Sequence, residues 1–182
     1  MERISIPARL ENERALLVSL EDADFEALYA VAADPELWAQ HPNKDRWQKE
    51  VFKIFFQGAM ESRGAFKIID KLSQSVVGST RFYDYKAADN SIFIGYTFYA
   101  RSCWGKGINQ SVKQMMLDYV FRFVSKVNFH IGADNKRSQI AIGRLGARKV
   151  AEEEVAYFGE PNRLNFVYEI RKEDWQQKRN DE

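Results

Sequence analysis

The stretch of sequence that decides the fold is Arg101-Ser102-Cys103-Trp104-Gly105-Lys106-Gly107-Ile108-Asn109. It follows a run of aromatic and β-branched residues over 91–99 and precedes a stretch with apolar residues at helical spacing. Two glycines separated by one residue allow a turn whose N–H groups surround an anion, and the following helix adds unpaired N–H groups and the positive end of its dipole. The stretch predicts a strand, turn and helix suited to a phosphate or pyrophosphate. A glycine-rich turn that only caps the helix is an equal alternative.

Two other phosphate-binding motifs are excluded by single residues. A Walker loop needs Ser or Thr after its Gly-Lys pair, whereas Gly107 follows Lys106. A dinucleotide-binding fingerprint needs a third glycine where Gln110 stands. The sequence therefore supports neither a P-loop NTPase nor a Rossmann protein.

The helix after the turn has the clearest pattern in the chain. It starts near Asn109, and Lys113, Asp118 and Arg122 are predicted to lie off its apolar stripe. The stripe consists of Ile108, Val112, Met115, Met116, Tyr119, Val120 and Phe123.

The remaining elements predict a mixed α/β fold with one central sheet. Before the turn we expect a strand over 15–20, helices near 21–34 and 45–62, and an antiparallel meander of strands over 65–70, 75–83 and 91–99. After the main helix we expect a strand over 127–131, a short helix over 138–145, and strands over 149–158 and 164–170. No repeat or linker interrupts the chain, so we predict a single domain over 1–182, with a core over about 15–170 and peripheral termini.

Composition excludes several classes of function. The 27 Lys and Arg residues nearly balance the 26 Asp and Glu residues, so the net charge of +1 gives no global attraction to nucleic acid or an anionic membrane. Cys103 is the single cysteine, which rules out an intrachain disulfide and a thiolate zinc cluster. The longest uncharged stretch, 90–100, is too short to span a bilayer, and the N-terminus carries no signal-peptide core. We therefore expect a cytoplasmic protein.

A second informative segment is Asn135-Lys136-Arg137-Ser138, which leads through a short helix to Leu145-Gly146-Ala147. By itself it predicts a capped helix, with Asn135 or Ser138 as the cap. Its place matters more, because it lies one strand after the helix that follows the glycine-rich turn.

Together the two segments resemble the GNAT superfamily of N-acetyltransferases, and specifically its ribosomal-protein N-acetyltransferase-like branch. The residues that carry the resemblance are Ile94-Gly95-Tyr96-Thr97-Phe98, Ala100-Arg101, Trp104-Gly105-Lys106-Gly107-Ile108-Asn109, Asn135 and Ser138, and Leu145-Gly146-Ala147. The element order also matches from Ala15 to Ile170. The resemblance implies a GNAT-type domain, in which a mostly antiparallel sheet is splayed between two parallel strands and flanked by about four helices.

The resemblance also implies acetyl-CoA as co-substrate, without a metal, bound between the splayed strands 92–99 and 127–131. Pantetheine would pair with the backbone near Phe98 and Ala100, and the pyrophosphate would rest on amides from Cys103 to Gly107. In the family's Gln/Arg-x-x-Gly-x-Gly pattern, Ser102 stands at the first position, where Arg101 or Lys106 can supply the missing charge. The implied cofactor-binding set is Phe98, Ala100, Arg101, Cys103, Trp104, Gly105, Lys106, Gly107, Ile108, Asn109, Asn135 and Ser138.

Acetyl transfer from a thioester needs a route for the amine proton, a donor for the oxyanion and a donor for the leaving sulfur. The resemblance implies that amides around Phe98 serve the oxyanion, that Asn135 orients pantetheine or a water, and that Ser138 donates to the thiolate. Ser138 can also cap its helix, and the two roles are compatible.

No general base can be assigned from the sequence. Phe93 stands where many relatives carry Glu, and Ile142 stands where other branches carry a Tyr acid. An ordered water chain or an already neutral acceptor would remove the need for a base. Cys103 lacks a base that would activate it, so a structural role is favoured. The other polar residues considered, none of them carried by a motif, are His130, Asp134, Tyr83 and Tyr85.

The acceptor is left open as well. We expect its specificity to come from the two N-terminal helices and the loop between them, around Trp38, His41, Pro42 and Trp47. A small-molecule amine and a protein N-terminus are both possible acceptors. A non-catalytic acyl-CoA-binding or sensing module is a further alternative, which Phe93 favours and the Asn135 and Ser138 pair disfavours. A homodimer is possible.

Overall fold

In the computed structural model, which describes residues 4–156 and 158–182, eight strands form a single mixed sheet. Its order is β1-β2-β3-β4-β5-β6-β8-β7, and every neighbouring pair is antiparallel except β5 and β6, which are parallel. This confirms the predicted GNAT-type fold class. The strands are β1 (Arg9–Glu11), β2 (Ala15–Ser19), β3 (Ala65–Asp70), β4 (Ser75–Lys86), β5 (Ser91–Tyr99), β6 (Lys126–Gly132), β7 (Arg148–Val155) and β8 (Arg163–Arg171).

The helices in the described part of the chain cover both faces of this sheet. Buried side chains of α3 and α5 join one apolar cluster with β2, β3 and β6, whereas those of α1 and α2 form a second cluster on the other face. None of these helices is long and apolar enough to cross a membrane. The α-helices are α1 (Phe25–Ala32), α2 (Lys49–Ser62), α3 (Ile108–Val120), α4 (Lys136–Arg144) and α5 (Lys172–Asn180).

The parallel strands β5 and β6 separate soon after they meet. They pair only through residues 91–93 of β5 and 126–128 of β6, although β5 continues to Tyr99 and β6 to Gly132. At the separation β5 contains a bulge, because Arg81 of β4 faces Gly95 while Ser79 faces Phe98. An extra residue bends the strand that carries it. The bend leaves a wedge-shaped gap, which we call the split, between the ends of β5 and β6.

The bulge also reverses which residues of β5 face α3. In a regular strand, alternate residues face opposite sides of the sheet. Ile92 and Ile94 lie in the cluster around α3, and after the bulge Tyr99 lies there too, whereas Phe98 joins the opposite cluster. Tyr96, at the centre of the bulge, has a φ of 51°. Thr97 is thereby turned toward α3.

Several element boundaries differ from the predictions. The helix expected near 21–34 is a short 3₁₀ turn, Asp22–Asp24, followed by α1 and a second 3₁₀ turn, Pro35–Trp38. Helix α2 begins at Lys49, about one turn later than expected. The strand expected over 149–158 is β7, which ends at Val155, and Tyr157 lies outside the described residues. Strands β3 and β5 have the predicted bounds.

Helix α5 was not predicted, because one apolar residue in a polar segment leaves almost no periodic signal. That residue, Trp175, is 2% exposed and belongs to the core cluster around α3. Its indole Nε1 donates a hydrogen bond to Asp118 Oδ1 on α3 at 2.8 Å. The packed part of the chain therefore extends beyond residue 170.

We expect Trp175→Ala to lower the free energy of unfolding by about 3–5 kcal/mol, because it leaves a cavity and removes the indole hydrogen bond to Asp118. Chemical denaturation measures the loss. Trp47→Ala is the matched control, since Trp47 is 39% exposed, and it should cost less than about 1 kcal/mol. Equal losses in the two variants would contradict a core role for α5.

Candidate active site

The split opens into a cavity of about 960 Å³. Residues 94–99 of β5 and 129–132 of β6 form two of its walls, and the N-terminal parts of α3 and α4 form the others. Both helices start just after one of the two parallel strands ends. The carboxyl ends of parallel strands are a common place for a ligand in α/β proteins. The cavity is therefore the first candidate for a functional site.

The glycine-rich turn presents backbone N–H groups at the start of α3. Gly105 and Gly107 have φ values of 71° and 79°, and an added Cβ at either would meet no atom within 4 Å. The first intrahelical bond runs from Ser111 N–H to the Gly107 carbonyl. The N–H groups that precede it in α3, at residues 108–110, have no intrahelical acceptor. Open space lies next to these donors, as an anion site requires.

Some amides predicted to hold a pyrophosphate are already used within the turn. The N–H groups of Cys103, Trp104 and Lys106 donate to the carbonyls of Ala100, Arg101 and Cys103, respectively. The amides available to a pyrophosphate therefore lie nearer to α3 than the predicted set, Cys103 to Gly107. The donors that face the open space are those of Gly105 and Gly107 and of the first turn of the helix.

The side chains of the glycine-rich turn make different contacts with the rest of the protein. Cys103 and Ile108 are buried in the core, at 7% and 1% exposure, so these residues can offer a ligand only their backbone. Arg101 donates from Nε to Asp34 at 2.5 Å, which ties the turn to the end of α1. Asn109 has a buried side-chain oxygen without a hydrogen-bond partner in the described part of the chain.

Trp104 and Arg137 connect the turn to α4. The Trp104 indole donates to the Tyr99 carbonyl at 3.2 Å, and the Arg137 guanidinium lies 3.7 Å from the centre of the indole ring. This stacking brings the cation of Arg137 to the glycine-rich turn, which also carries the exposed Lys106.

Asn135 and Ser138, two of the predicted site residues, both line the cavity on the α4 side. Asn135 caps α4, since its Oδ1 accepts a hydrogen bond from the Ser138 N–H at 3.2 Å. Asn135, rather than Ser138, is therefore the capping residue. The Ser138 hydroxyl makes no hydrogen bond to any described residue and is available to a ligand.

On the β5 wall, the unpaired backbone groups belong to residues that precede Ala100, and not to Ala100 itself. Ala100 donates its N–H to Val77 and accepts at its carbonyl from Cys103, both at 2.8–2.9 Å. Beyond residue 93, the edge of β5 that faces β6 has no strand partner among the described residues. Phe98 lies within this edge, and its ring packs against Trp38 with centroids 5.4 Å apart. Because the Tyr99 carbonyl accepts from Trp104, the groups of this edge that can pair with a ligand belong to residues 94–98.

The far end of the cavity is formed by the loop between α1 and α2. Trp38 and His41 line it, whereas Trp47 lies outside the lining. Arg46 forms a two-pronged ion pair with Glu160 at 2.7 Å, and its Nη1 lies 3.2 Å from His41 Nε2. Burial and the charge of Arg46 hold the pKa of His41 well below its ordinary value, so His41 is neutral at physiological pH.

His130 lies on the β6 wall at the narrow end of the split. Its Nδ1 is 3.1 Å from the Tyr83 hydroxyl, and its Nε2 is 3.0 Å from a carboxylate oxygen of Glu153. The ring stacks on Phe93 with centroids 4.2 Å apart. Burial lowers the pKa of His130, while Glu153 raises it. Because the Glu153 side chain is 51% exposed, this chain of hydrogen bonds reaches solvent.

The inner end of this chain, the Tyr83 hydroxyl, lies close to the cavity at Gly95. Gly95 lines the cavity, and an added Cβ there would lie 3.2 Å from the Tyr83 hydroxyl oxygen. A side chain at this position would cover the hydroxyl. The sequence could not show the arrangement, since Tyr83, His130 and Glu153 stand on three strands and only the sheet order brings them together.

Lys113 was predicted to lie off the buried face of α3, and the structure contradicts this. It is 3% exposed and lines the cavity. Its Nζ lies 2.8 Å from the Thr97 hydroxyl and 3.3 Å from the Thr80 hydroxyl. The reason is the bulge, which turns Thr97 toward α3 and so provides a polar partner inside the core. Burial lowers the pKa of Lys113 from 10.5 to about 7.

The charged side chains that the described residues place along the cavity are all basic. Among the described residues that line it there is no Asp or Glu, whereas the lysines and arginines are Arg46, Lys113, Lys136, Arg137 and Arg144. The described residues also include no group of His, Cys, Asp and Glu that could hold a metal ion. The site therefore favours an anionic ligand.

Comparisons with known proteins agree with this geometry. A family model described as an acetyltransferase (GNAT) domain matches residues 14–148, which is more than half of the chain. The match includes the split, the glycine-rich turn and α4.

Solved structures of the same fold are numerous. A putative acetyltransferase from T. thermophilus superposes with a TM-score of 0.80 at 22% identity, covering 98% of this chain and 97% of that one. A GCN5-related N-acetyltransferase from Brucella melitensis gives 0.79 at 18% identity, covering 92% and 80%. Spermidine N-acetyltransferase from Vibrio cholerae, in complex with CoA and spermine, gives 0.68 at 14% identity, covering 91% and 99%. At these identities the likeness concerns the fold.

Proposed function

Because this chain belongs to the GNAT acetyltransferase family, we propose that it transfers the acetyl group of acetyl-CoA to a primary amine by direct attack in a ternary complex. The observation that carries the proposal is the convergence of three features on one cavity. These are the open N–H groups before and within the first turn of α3, the unpaired edge of β5, and the free Ser138 hydroxyl. A thioester of CoA needs an anion site for its phosphates, donors for its carbonyl oxygen and a donor for its sulfur.

The phosphate end of acetyl-CoA is assigned to the glycine-rich turn and α3. The amides of Gly105, Gly107 and the first helical turn suit the pyrophosphate, because they are unpaired and open. Arg137 and Lys106 supply positive charge beside them. Arg101 is left out of this role, since it is bound to Asp34.

The acetyl end is assigned to the split. Amides of β5 around Phe98 stabilise the charge that develops on the carbonyl oxygen. Ser138 donates to the sulfur from the α4 side, while the Asn135 cap holds the start of α4 in place.

The attacking amine must also lose a proton. The hydroxyl of Tyr83 receives it through the opening at Gly95 and passes its own proton to His130 Nδ1, and Glu153 receives the proton from Nε2 at the surface. This route replaces the carboxylate that many relatives carry at the position of Phe93. The ring of Phe93 instead supports the imidazole.

The acceptor is assigned to a primary amine without additional positive charges. A polyamine would bring further ammonium groups into a cavity whose described lining has no carboxylate. The α-amino group of an amino acid or of a peptide N-terminus avoids this cost. Either of these acceptors can reach the site past Trp38 and His41.

The first prediction concerns acetyl-CoA binding. Acetyl-CoA at 100 times its dissociation constant should stabilise the protein by about 2.7 kcal/mol, a rise in Tm of about 5–10 °C. Gly107→Glu should abolish the saturable rise, because it puts negative charge at the pyrophosphate site. Gly107→Ala shares the backbone strain at a φ of 79° but adds no charge, so it should keep part of the rise. A wild-type protein that is folded but unaffected by acetyl-CoA or CoA would remove the transferase assignment.

The second prediction concerns the acceptor. Release of free CoA should be faster with amino acids or short peptides that have free N-termini than with spermidine, because the cavity cannot neutralise additional cations. N-acetylated forms of the same peptides are the controls and should give no release. Faster release with spermidine contradicts the acceptor class. Binding of acetyl-CoA without release for any amine supports the sensing module instead.

The third prediction concerns the proton route. His130→Gln should lower kcat by about 10² if His130 relays the proton. Since Glu153 raises the pKa of His130, Glu153→Gln should shift the acid limb of the kcat profile to lower pH. Glu154→Gln on the same strand is the control and should leave the limb in place. An unchanged profile in both His130→Gln and Glu153→Gln excludes this route.

A further inference from the structure

Lys113 is a buried cation for which the fold provides no anion. Its side chain lies within the core between α3 and the sheet, with 3% of its surface exposed. Its partners are two neutral hydroxyls, those of Thr80 on β4 and Thr97 on β5. In the described part of the chain it makes no ion pair. A charged group held in this way is costly to bury unless something compensates the charge.

The other cations around the cavity differ from Lys113. Arg46 is paired with Glu160 on two oxygens. Lys136, Arg137 and Arg144 belong to the exposed side of α4. Lys113 thus combines burial, access to the cavity and the lack of an acidic partner.

Its location relates it to the reacting atoms. Thr97, to which Nζ is bonded at 2.8 Å, immediately precedes Phe98 on the unpaired edge of β5. The proposed function assigns the thioester carbonyl to that edge and the sulfur to the side of Ser138. Lys113 lines the same cavity from α3, and its bond to Thr97 places Nζ beside that edge.

We infer that Lys113 gives its proton to the sulfur of CoA as the thioester is cleaved, while the Ser138 hydroxyl donates only a hydrogen bond to that sulfur. This inference rests on the proposed function. The amine nitrogen forms the new C–N bond, the C–S bond breaks, and the electron pair of that bond stays on sulfur. Nζ then gives a proton to sulfur, so that CoA leaves as a thiol and Lys113 becomes a neutral amine. The proton lost by the acceptor leaves through His130, and Lys113 regains its proton from solvent.

The surroundings of Nζ suit such a role. The groups that face it are the hydroxyls of Thr80 and Thr97, and the sulfur of Met116 lies 3.8 Å from the Thr80 oxygen. Burial is the single cause of the lowered pKa of Lys113, and no charged side chain of the described residues contributes to it. A group with a pKa of about 7 gives its proton to a thiolate of ordinary basicity readily. It also remains partly protonated at neutral pH.

The test compares two lysine substitutions of equal chemistry. Lys113→Met keeps the length of the side chain but removes the proton, so kcat should fall by about 10² while the dissociation constant of acetyl-CoA changes by less than about twofold. Lys106→Met, in the glycine-rich turn, should instead weaken acetyl-CoA binding. Wild type and Lys106→Met should both lose kcat as the pH rises through the pKa of Lys113. The Lys113→Met profile should lack this falling limb.

Lys113→Arg separates proton donation from charge. The guanidinium keeps a positive charge but does not release its proton near neutral pH. It should therefore fail to restore kcat. Restoration of kcat by arginine would assign an electrostatic role to this position and overturn proton donation.

A measurement without substrate checks the premise. Between pH 7 and 10.5 the unfolded chain binds a proton at residue 113 that the folded chain lacks. The contribution of Lys113 to the free energy of unfolding therefore rises with pH across this window. Lys113→Met should remove that rise, and its Tm near pH 7 should be higher than that of the wild type. A lower Tm together with unchanged pH dependence would show that Lys113 is not a strained buried cation.

The outcomes separate the two proposals. If the wild-type protein releases CoA in the presence of an amine and Lys113→Met has the same kcat and the same falling limb, only the role of Lys113 is wrong. If the wild-type protein binds acetyl-CoA but releases CoA with no amine, the proposed function is wrong and the role of Lys113 is wrong with it.

Discussion

The site depends on the early end of the pairing between β5 and β6. Two parallel strands that paired along their whole length would leave no backbone group free and no space between them. Here the bulge at Tyr96 bends β5 away after three paired positions, so the sheet opens without losing its hydrogen bonds to β4. Since α3 follows β5 and α4 follows β6, the N-termini of both helices lie at the mouth of the opening. One local irregularity thus produces the cavity, its unpaired edge and its electropositive rim.

The same bulge decides where polar groups enter the core. By turning Thr97 toward α3, it supplies a hydrogen-bond acceptor for a lysine that helical spacing alone would leave without one. A regular β5 would direct this hydroxyl to the opposite face, and an apolar residue would then be needed at position 113. The cost of burying Lys113 is therefore tied to the geometry of the split. An anionic ligand in the cavity can offset that cost.

Charge is distributed unevenly between the two ends of the cavity. Near α4 the cations are exposed and suit the phosphates of a nucleotide. At the opposite end Arg46 is neutralised by Glu160, and His41 is held neutral. At the narrow end of the split, His130 is hydrogen-bonded to the carboxylate of Glu153 at the surface. In the proposed mechanism, this arrangement keeps negative charge away from the thioester and gives the proton of the amine a route to the surface.

The sequence by itself determined the features that depend on near neighbours along the chain. The glycine-rich turn, the start of α3, a cap of α4 at Asn135 or Ser138, and the bounds of β3 and β5 all follow from local backbone preferences and periodicity, and their order identifies the fold. The tertiary structure alone decided the split, the burial of Lys113 and the chain from Tyr83 to Glu153. Each of these depends on strands that are distant in sequence, and a one-residue bulge reverses the facing of every residue after it. The periodicity of the sequence does not reveal such a shift, because the shift arises from how two strands pair.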